Sequence, residues 1–588
     1  MKKRSFLSIV LSFLLIFSFA LVNLHCGQSN PTHIVHIPKD PKVAPCEPGK
    51  WGGTLKLALS GAPLTFNPFI SPSVETYEIT SKLFATLIDY DNVNKKANND
   101  GLARSVDTLE NGSSYVIHLR EGVAFSNGIP ITAEDVIFSL KAALDNRLGS
   151  IYGEFMKVDG QAPEFSKMDS LTVKITFAEH YEPIKELLSK IPIVSKNSME
   201  DSFLKGDPKT AYTLTTAPEK IVSSGPFVLK SYSEQKIELV YNPYYWKVDN
   251  VGTALPYLDG ITYDLKVSRQ GQQNNLLTKN EYHAVELIPT QKQAFEGNDR
   301  FIIKDAGPSL AVWQLVLNWR LEQQPGSFSI KPTWARTSYF RWAISALIQR
   351  DKMVSDVFNS LGRPVYGLVT PDNQLWFNNE AKKYPYDINV AKKFLGLAKF
   401  SNSSDNTLRD NANNKVRYEL LHLNEYIPQQ LANRLTEDLK QVGIEIEPNP
   451  QDYKKFLSFV NNGLFEVALV ESTPLLPDPA FMQPFLSKSG KYLYFDDSSD
   501  VNLKGMAGSD PFLNNVAKDL NEALKKSSLK ERQDIYNKIQ KDWADKYPII
   551  YLVNENVLVA AQKNLANFKP APIIPTLTWN SEEFYLKQ

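Results

Sequence analysis

The pattern of apolar and polar residues is clearest between residues 114 and 144. Apolar side chains occupy every second position over residues 114–119, which predicts a half-buried strand. Residues 126–128, Ser-Asn-Gly, are typical of a turn. Thr132, followed three positions later by Asp135, predicts a capped helix start, and apolar residues then recur every fourth position to 144. The pattern therefore predicts a strand, a turn and a helix in succession.

Similar patterns predict mixed secondary structure along the rest of the chain. Strands are expected over residues 51–58, 171–177, 226–230, 237–241, 310–319, 444–447 and 548–553. Helices are expected over residues 76–87, 431–439, 516–524 and 529–543. Helices and strands are interspersed over the whole length, which is typical of an α/β protein.

Length and composition narrow the class of protein. The chain has 588 residues, too many for one hydrophobic core, so two to four domains are expected. The 65 basic and 65 acidic residues cancel, which argues against a surface built mainly for nucleic acid. Aromatic residues make up 11% of the chain, which indicates large cores or an amphipathic ligand.

The N-terminus has the pattern of a secretory signal peptide over residues 1–25, with basic residues followed by an apolar run. Cys26 stands where the apolar run ends, as in a bacterial lipoprotein that is lipidated at this cysteine and anchored to a membrane. Cleavage after Ala20 is the alternative. Residues 26–50 contain five prolines and predict an extended, mobile tether. Cys46 is a lone thiol when Cys26 carries lipid; otherwise the two cysteines are able to pair.

Catalytic and cofactor motifs are missing from the sequence. None of the seven histidines has a second ligand at metal-binding spacing, and there is no nucleophile elbow, phosphate loop or dinucleotide fingerprint. These observations give no positive reason to propose an enzyme, a metal site or a cofactor. Binding is the better class, and a secreted hydrolase with unrecognised catalytic residues is the alternative from another class.

The residues between 119 and 139 carry more information than their secondary structure. The string from Leu119 to Ser139 resembles the signature of the extracellular solute-binding proteins of family 5, which serve peptide and nickel importers of the ATP-binding-cassette (ABC) type. The matching residues are Leu119, Arg120, Gly122, Phe125, Gly128, Thr132, Ala133, Asp135, Val136, Phe138 and Ser139. Residues 224–230 and 237–246 resemble two further motifs of the family. The resemblance extends over about residues 51–570.

The resemblance implies a two-lobed fold of the periplasmic-binding-protein type II, with an extra inserted domain and closure about a hinge. Domain I is expected over residues 51–85, 200–305 and 550–588. The inserted domain II is expected over residues 86–199, and domain III over 306–549. The ligand is expected between domains I and III.

Position in the family pattern suggests residues that face the ligand. Glu75 and Tyr77 are candidates, with a helix-start acid as the alternative role of Glu75. Trp313 is expected either to stack on a ligand or to lie in the core. Asn318 falls where the family has an asparagine at the opening of its large C-terminal lobe.

The loop before Pro479 departs from the pattern of peptide-binding members. These members carry an aspartate four residues before this proline, where it neutralises the peptide's α-amino group. Leu475 occupies that position here, and Asp478 aligns with the acid of a turn. A peptide would therefore need another acid, such as Glu471.

The resulting prediction is the extracytoplasmic solute-binding component of an ABC importer. We expect a monomer without a cofactor that captures an oligopeptide-like solute and delivers it to an inner-membrane permease. A receptor for a non-peptide solute, such as a metal chelate, a sugar or a signal, is the alternative on the same fold.

Overall fold

The computed structural model describes residues 33–70, 73–319, 331–482 and 512–587, and they form an α/β structure. The strands of the first half are β1 (Lys42–Val43), β2 (Thr54–Ala58), β3 (Tyr90–Asp91), β4 (Lys96–Ala97), β5 (Ala103–Leu109), β6 (Ser114–Leu119), β7 (Glu164–Lys167), β8 (Thr172–Thr176), β9 (Phe227–Tyr232), β10 (Lys236–Tyr241), β11 (Lys247–Val248) and β12 (Gly260–Asp264). Those of the second half are β13 (Ala284–Glu286), β14 (Phe301–Pro308), β15 (Val312–Leu317), β16 (Gly362–Pro364), β17 (Ser401–Asn402), β18 (Leu408–Arg409), β19 (Arg417–Leu423), β20 (Glu445–Gln451), β21 (Val467–Ser472), β22 (Ile550–Gln562), β23 (Leu565–Ala566) and β24 (Tyr585–Leu586).

The α-helices of the described residues lie between these strands. They are α1 (Val74–Leu83), α2 (Ala133–Ala143), α3 (Ile151–Phe155), α4 (Ile184–Leu188), α5 (Lys196–Lys205), α6 (Arg269–Lys279), α7 (Lys292–Phe295), α8 (Lys331–Arg336), α9 (Ser338–Leu347), α10 (Arg350–Phe358), α11 (Ile388–Leu397), α12 (Tyr426–Lys440), α13 (Tyr453–Asn461), α14 (Phe512–Leu524) and α15 (Leu529–Lys546).

The strand, turn and helix predicted between residues 114 and 144 are confirmed. Strand β6 is followed by helix α2, and Thr132 and Asp135 form a capping box at the start of this helix. The backbone N–H of Thr132 donates to Asp135 Oδ2 at 3.0 Å. This bond uses one polar group at the helix start that the helix itself leaves without a partner.

Three sheets carry most of the architecture. The small sheet has the strand order β2-β12-β10-β9, and the inserted sheet has the order β5-β6-β8-β7. The large sheet has the order β13-β22-β15-β21-β19-β20, with β14 and β16 also paired to β22. Buried apolar residues of all three regions form one continuous core. The lobed architecture expected from the family agrees with this arrangement, while the domain boundaries stay a prediction.

The chain passes from one region of the large sheet to the other at two places. The first half of β22 pairs with β15 and β16, and its second half pairs with β13 and β14. Strand β14 leads into β15 through the short segment 309–311. The backbone N–H of Ser309 donates to the carbonyl oxygen of Glu555 at 3.0 Å, which ties the two crossings together. We call the neighbourhood of Ser309 and Glu555 the crossing point.

The Pro-rich segment differs from the mobile tether that its composition predicts. Residues 33–50 lie against the body of the protein, and β1 pairs in parallel with β11. Lys42 Nζ lies 2.9 Å from Asp89 and 2.8 Å from Asp100. Prolines keep the segment extended. Its contacts with the body of the protein, such as the ion pairs of Lys42, join residues distant in sequence, so composition alone does not predict them. The tether interpretation is therefore wrong for residues 33–50, while residues 26–32 lie outside the described residues.

The turn before β9 needs a glycine because two backbones approach closely there. A Cβ on Gly225 would lie 2.5 Å from the carbonyl oxygen of Lys82, near the end of α1. The backbone N–H of Gly225 in turn donates to the carbonyl oxygen of Leu83 at 2.9 Å. Gly225 thus fixes α1 against the small sheet, and α1 carries Tyr77 into the cavity described next.

Candidate functional site

The lobes predicted from the family pattern touch one another across several direct bonds. The Tyr453 hydroxyl at the start of α13 donates to Glu75 Oε2 at 2.6 Å, which joins α1 to the large lobe. The backbone N–H of Glu182 donates to the carbonyl oxygen of Leu524 at 2.9 Å. Lys525 Nζ lies 3.0 Å from Asp159, which adds an ion pair between α14 and the inserted region. These contacts hold the structure in a closed arrangement.

A cavity of about 830 Å³ lies between α1, the inserted region and the C-terminal segment. Tyr77 enters it from α1, Tyr90 from β3 and Tyr152 from α3, and Lys190 enters just after α4. The docked N-terminal segment forms part of the wall through Lys42, and residues 569–583 form another part. We call this space the main cavity. Its volume is within the range that small-molecule sites occupy.

Helix α1 places Tyr77 at this wall. The Ser73 hydroxyl caps the helix by accepting from the backbone N–H of Thr76 at 3.1 Å. Glu75 is buried in the first turn and receives the Tyr453 hydroxyl, so its carboxylate is committed to joining two lobes. Tyr77, two residues further on, is half-buried, and burial raises the pKa of its phenol. The two candidates of this segment therefore differ in their contacts.

Most lysines of the main cavity have close oxygen partners. Lys247 Nζ lies 2.8 Å from Asp89 and 2.9 Å from Glu582. The other partnered lysines, with their nearest partners, are Lys42 with Asp100 at 2.8 Å, Lys82 with the carbonyl oxygen of Thr578 at 2.7 Å, Lys304 with that of Phe568 at 2.8 Å and Lys569 with Glu583 at 3.0 Å. These bonds hold the cavity walls together.

Lys190 differs from these lysines. It is only 3% exposed, and its Nζ lies 4.1 Å from the centre of the Tyr90 ring. Within the described residues no carboxylate or carbonyl oxygen accepts from this ammonium. Burial lowers the pKa of Lys190 to about 7, and no neighbouring acid opposes that shift.

A second group of charges lies beside the crossing point. Arg269, at the start of α6, lies 3.1 Å from Glu286 and 3.3 Å from Glu555. Glu471, near the end of β21, and Glu425 feel the charge of the same arginine. We call Arg269 with these four glutamates the hinge charge cluster. One cation faces four carboxyl groups, so acid is in excess.

Within this cluster, the Glu471 side chain is accessible to solvent, but its surroundings strongly shift its pKa. Its side chain is exposed to solvent, yet many protein atoms lie near its carboxyl group. Loss of solvation and then the neighbouring Glu555 carboxyl raise the pKa of Glu471, and Arg269 opposes part of that shift. Glu471 is therefore partly neutral near pH 7 and would ionise beside an incoming cation.

Trp313 lies directly beside Glu471 in the large sheet. The two residues are paired across β15 and β21, and Trp313 also pairs with Val553 of β22. Its side chain is 6% exposed, and within the described residues its indole N–H has no acceptor. Trp313 is therefore a mostly buried residue with one unused donor, and it does not line the main cavity.

The remaining candidates have internal partners. The Asn318 amide donates to the carbonyl oxygens of Gly463 and Phe465 at 3.0 and 2.9 Å. Asp478 is buried, forms an ion pair with Arg532 and accepts from the Tyr536 hydroxyl at 2.8 Å. These bonds commit both polar groups to the fold.

Leu475 is partly buried and packs against the continuous core. It therefore supplies apolar surface at the position where peptide-binding members carry an acid. Cys26, the predicted lipidation site, lies outside the described residues. Cys46 is buried, and burial raises the pKa of its thiol to about 11.

Sequence reasoning missed Tyr90, Tyr152, Lys190 and Arg269. Lys190 carries a recognisable signal, because it interrupts the apolar run from Leu187 to Val194. A lysine within such a run is rarely buried without a purpose. Arg269 and the tyrosines have no comparable signal, since their roles depend on segments distant in sequence.

The described residues contain neither a candidate metal cluster nor a helix suited to cross a membrane. In that part of the chain, no three histidine, cysteine, aspartate or glutamate side chains are grouped to hold a metal ion. No helix among residues 33–70, 73–319, 331–482 and 512–587 has both the length and the apolar character to cross a membrane.

Comparison with known families identifies the protein class. The sequence profile of the bacterial extracellular solute-binding proteins, family 5, matches residues 99–492, which is about two thirds of the chain. The chain belongs to this family. It is therefore an extracytoplasmic solute-binding protein, and members of the family work with ABC permeases. Membership places the chain among binding proteins rather than enzymes.

Individual relatives agree with this assignment. The chain is 28% identical over 411 residues to the "Probable ABC transporter-binding protein" of Deinococcus radiodurans, covering 67% of this chain and 68% of the relative. It is 24% identical over 543 residues to the oligopeptide-binding protein AppA of Bacillus subtilis, covering 89% and 90% of the two chains.

Solved structures show the same fold at low sequence identity. The nonapeptide complex of Bacillus subtilis AppA has a TM-score of 0.75 at 20% identity, covering 92% of this chain and 100% of AppA. The stachyose complex of MelB from Agrobacterium fabrum has a TM-score of 0.77 at 19% identity, covering 95% and 89%. The fold therefore accommodates a peptide in one relative and an oligosaccharide in another.

Proposed function

We propose that this protein captures a peptide-like solute by closing its lobes and delivers it to the permease of an ABC importer. The observation that carries the proposal is the main cavity between α1, the inserted region and the C-terminal segment, together with the direct bonds that join the lobes. Burying a ligand between lobes converts its presence into a shape that a permease recognises. A relative named for oligopeptide binding covers nine tenths of the chain, which supports a peptide as the solute.

The crossing point is the hinge in this proposal. Within the described residues, the chain passes from the region of β13 and β14 to that of β15 and β16 of the large sheet at two places, namely along β22 and through the β14–β15 connection. Bending at residues 309–311 and near Glu555 would change the angle between the lobes without breaking either sheet core. The domain boundaries given above are part of this proposal.

Glu471 is the proposed acceptor for a peptide's α-amino group. Leu475 occupies the usual position of the acid, and Asp478 is already paired with Arg532. Glu471 is exposed and belongs to a cluster with an excess of carboxyl groups. A ligand ammonium would supply the missing positive charge and let Glu471 ionise. Glu75 is not proposed for this role, because it accepts from Tyr453.

One observation favours a non-peptide solute as a second candidate. The main cavity presents three tyrosines, and aromatic faces suit the apolar faces of sugar rings as well as peptide side chains. The relative crystallised with stachyose covers nearly the whole chain. A sugar, however, would leave the excess acid of the hinge charge cluster without a cation.

The remaining parts of the proposal concern location. We place a lipid on Cys26 after removal of residues 1–25, because the apolar run ends at this cysteine. The protein would then work as a monomer anchored to the outer face of a bacterial membrane.

Native mass spectrometry of the chain without its first 26 residues tests the solute class. We expect adducts that are released as short peptides on denaturation, and rebinding of a synthetic peptide pool after refolding. Release of one non-peptide mass would favour the second candidate. A protein that shows no adduct and no thermal shift with the pool would contradict peptide capture.

The role of Glu471 is tested with free and N-acetylated versions of the same peptide pool. The wild type is expected to prefer the free amine, and Glu471→Gln is expected to lose that preference. Glu445→Gln is the matched control, because Glu445 is an exposed acid at the edge strand β20 of the same sheet. Retention of the preference in Glu471→Gln would rule out this acid.

A further inference from the structure

Lys190 is a buried cation that the closed structure leaves without a counter-charge. Its side chain is 3% exposed, and the ammonium lies over the ring of Tyr90 at 4.1 Å from the ring centre. A single cation–π contact stabilises by less than burying an ammonium costs. The residue is therefore maintained at a cost to the empty protein.

The surroundings of Lys190 also carry unused hydrogen-bond donors. The Tyr90 hydroxyl is buried and has no partner within the described residues. Tyr77 and Tyr152 line the same cavity, and no hydrogen bond of their hydroxyls occurs in that part of the chain. Tyr77 lies close enough to influence the phenols of both Tyr90 and Tyr152, so the three side chains converge.

The other cavity lysines show that pairing is available in this region. Lys247 binds Asp89 and Glu582, and Lys304 donates to the carbonyl oxygen of Phe568. No such group approaches Lys190, although its own short helix α4 contains Glu186. A buried cation beside several phenol hydroxyls, with no protein anion in contact, is placed to bind an anionic group of a ligand.

We propose that Lys190, with the hydroxyls of Tyr77, Tyr90 and Tyr152, binds an anionic group of the captured solute, a carboxylate or a phosphate. This inference rests on the proposed capture of a solute in the main cavity and specifies the chemistry that enters it. For a peptide, the group is the C-terminal carboxylate or an acidic side chain. The ammonium of Lys190 donates hydrogen bonds only and repels a cationic group, and the phenols add further donors toward an anion.

The first test observes Lys190 directly and needs no knowledge of the solute. Protein labelled with 13C-lysine is freed of ligand by refolding, and the signal missing from Lys190→Arg identifies Lys190. Acetate and inorganic phosphate are then titrated separately. We expect the Lys190 signal to move and its titration midpoint to rise with at least one anion. A stronger response to acetate assigns a carboxylate, and a stronger response to phosphate assigns a phosphate.

The second test compares tripeptide-to-pentapeptide pools with free and amidated C-termini by calorimetry. A charge-assisted hydrogen bond in a buried site is worth a change in affinity of about tenfold or more. We expect the free-acid pool to bind at least about tenfold more tightly than the amidated pool. Lys190→Met should abolish this preference, and Lys190→Arg should retain part of it.

Lys141→Met is the matched control, because Lys141 is an exposed lysine of α2 that does not line the main cavity and whose removal changes the net charge equally. It should keep the preference for the free acid. A preference that survives in Lys190→Met, or disappears equally in Lys141→Met, would overturn a specific role of Lys190.

The two tests separate this inference from peptide capture. When an anion moves the Lys190 signal but no pool binds, the anion subsite stands and peptide capture fails. When both pools bind equally and the Lys190 signal does not respond, peptide capture stands and the subsite is rejected. When neither pool binds and neither anion acts, both are rejected.

Discussion

The hinge charge cluster and the Lys190 side of the main cavity are opposite in sign. Beside the crossing point, four glutamates surround Arg269, so carboxyl groups outnumber cations there. At the other region, Lys190 is a buried cation without an acid. Lys190 lines the main cavity, whereas the residues of the hinge charge cluster do not. Their charges are complementary to a zwitterion, which carries one ammonium and one carboxylate.

A contrast within the main cavity sharpens this view. Lys247 is buried like Lys190, but it has two carboxylate partners. A buried charge with protein partners holds the fold together, whereas one without partners destabilises the empty protein. The pairing pattern thus separates structural lysines from a candidate binding lysine in a single cavity. Four predictions follow from the difference, and the largest effect comes first.

Lys247→Met is expected to destabilise the protein by about 3 kcal/mol, because it leaves Asp89 and Glu582 without their shared cation. Urea unfolding at pH 7 measures the effect. Lys190→Met is the matched comparison, and it should be neutral or stabilising since no ion pair is lost. Equal destabilisation by the two variants would remove the distinction between the two lysines.

Arg269→Met is expected to destabilise by about 2 kcal/mol, because Glu286 and the buried Glu555 lose their counter-charge. The same unfolding measurement applies. Arg147→Met is the control, since Arg147 forms an exposed pair with Asp145, and exposed pairs contribute little to stability. An Arg269 variant as stable as the control would show that the surrounding glutamates are neutral in the folded protein.

Lys190 should also make the stability of the empty protein depend on pH. Its pKa is lowered from 10.5 to about 7 in the folded state, so the unfolded chain binds more protons between those pH values. Stability therefore rises with pH in that window, by roughly 1 kcal/mol per unit. Unfolding of the wild type and Lys190→Met at pH 7 and pH 9 checks this, because the difference between them isolates Lys190. A constant difference would contradict burial of the unpaired ammonium.

The smallest effect concerns the pH dependence of affinity, where the two regions should act in opposite directions. A peptide with a free amine and an amidated C-terminus should bind more tightly as the pH rises toward about 8, because Glu471 must ionise and its pKa is raised by loss of solvation and by Glu555. Above that pH the amine loses its own proton and the affinity should fall. An N-acetylated peptide with a free carboxylate should bind less tightly above about pH 7, because Lys190 loses its proton.

Calorimetry with these two peptides measures changes of a few-fold per pH unit at most. Glu471→Gln should flatten the first profile only, and Lys190→Met the second only. Of the groups around Glu471, Arg269 keeps its charge throughout this range, while Glu286 and Glu555 are acids. The phenols around Lys190 have raised pKa values and stay neutral. Profiles that change together in either variant would show that both groups report one shared event.

Much of the fold could be predicted from the sequence because local patterns determine local structure. The alternation over residues 114–119 and the pair Thr132 and Asp135 act within one turn or strand, and the structure confirms them. Strand β22 is longer than the predicted 548–553, because pairing with distant β13 and β14 extends it.

The candidate site was less predictable because its contacts join distant segments. Tyr453 and Glu75 are 378 positions apart, and Arg269 meets Glu555 across 286 positions. The sequence alone does not show a partner for Asp478, whereas in the structure Asp478 forms an ion pair with Arg532 on α15. Pattern alone places a residue on a helix or strand, whereas partner identity decides whether its charge is free for a ligand.

If Cys26 carries the proposed lipid, the docked N-terminal segment limits how far the protein can move from the membrane. Residues 33–50 are held against the body by β1 and by Lys42, so only the stretch from Cys26 to His33 separates a lipid on Cys26 from the folded surface. Seven residues span at most about 25 Å. At so short a distance, the binding protein would meet only those permeases that diffuse past it within the plane of the same membrane. The rate of encounter would then scale with the two-dimensional density of both partners.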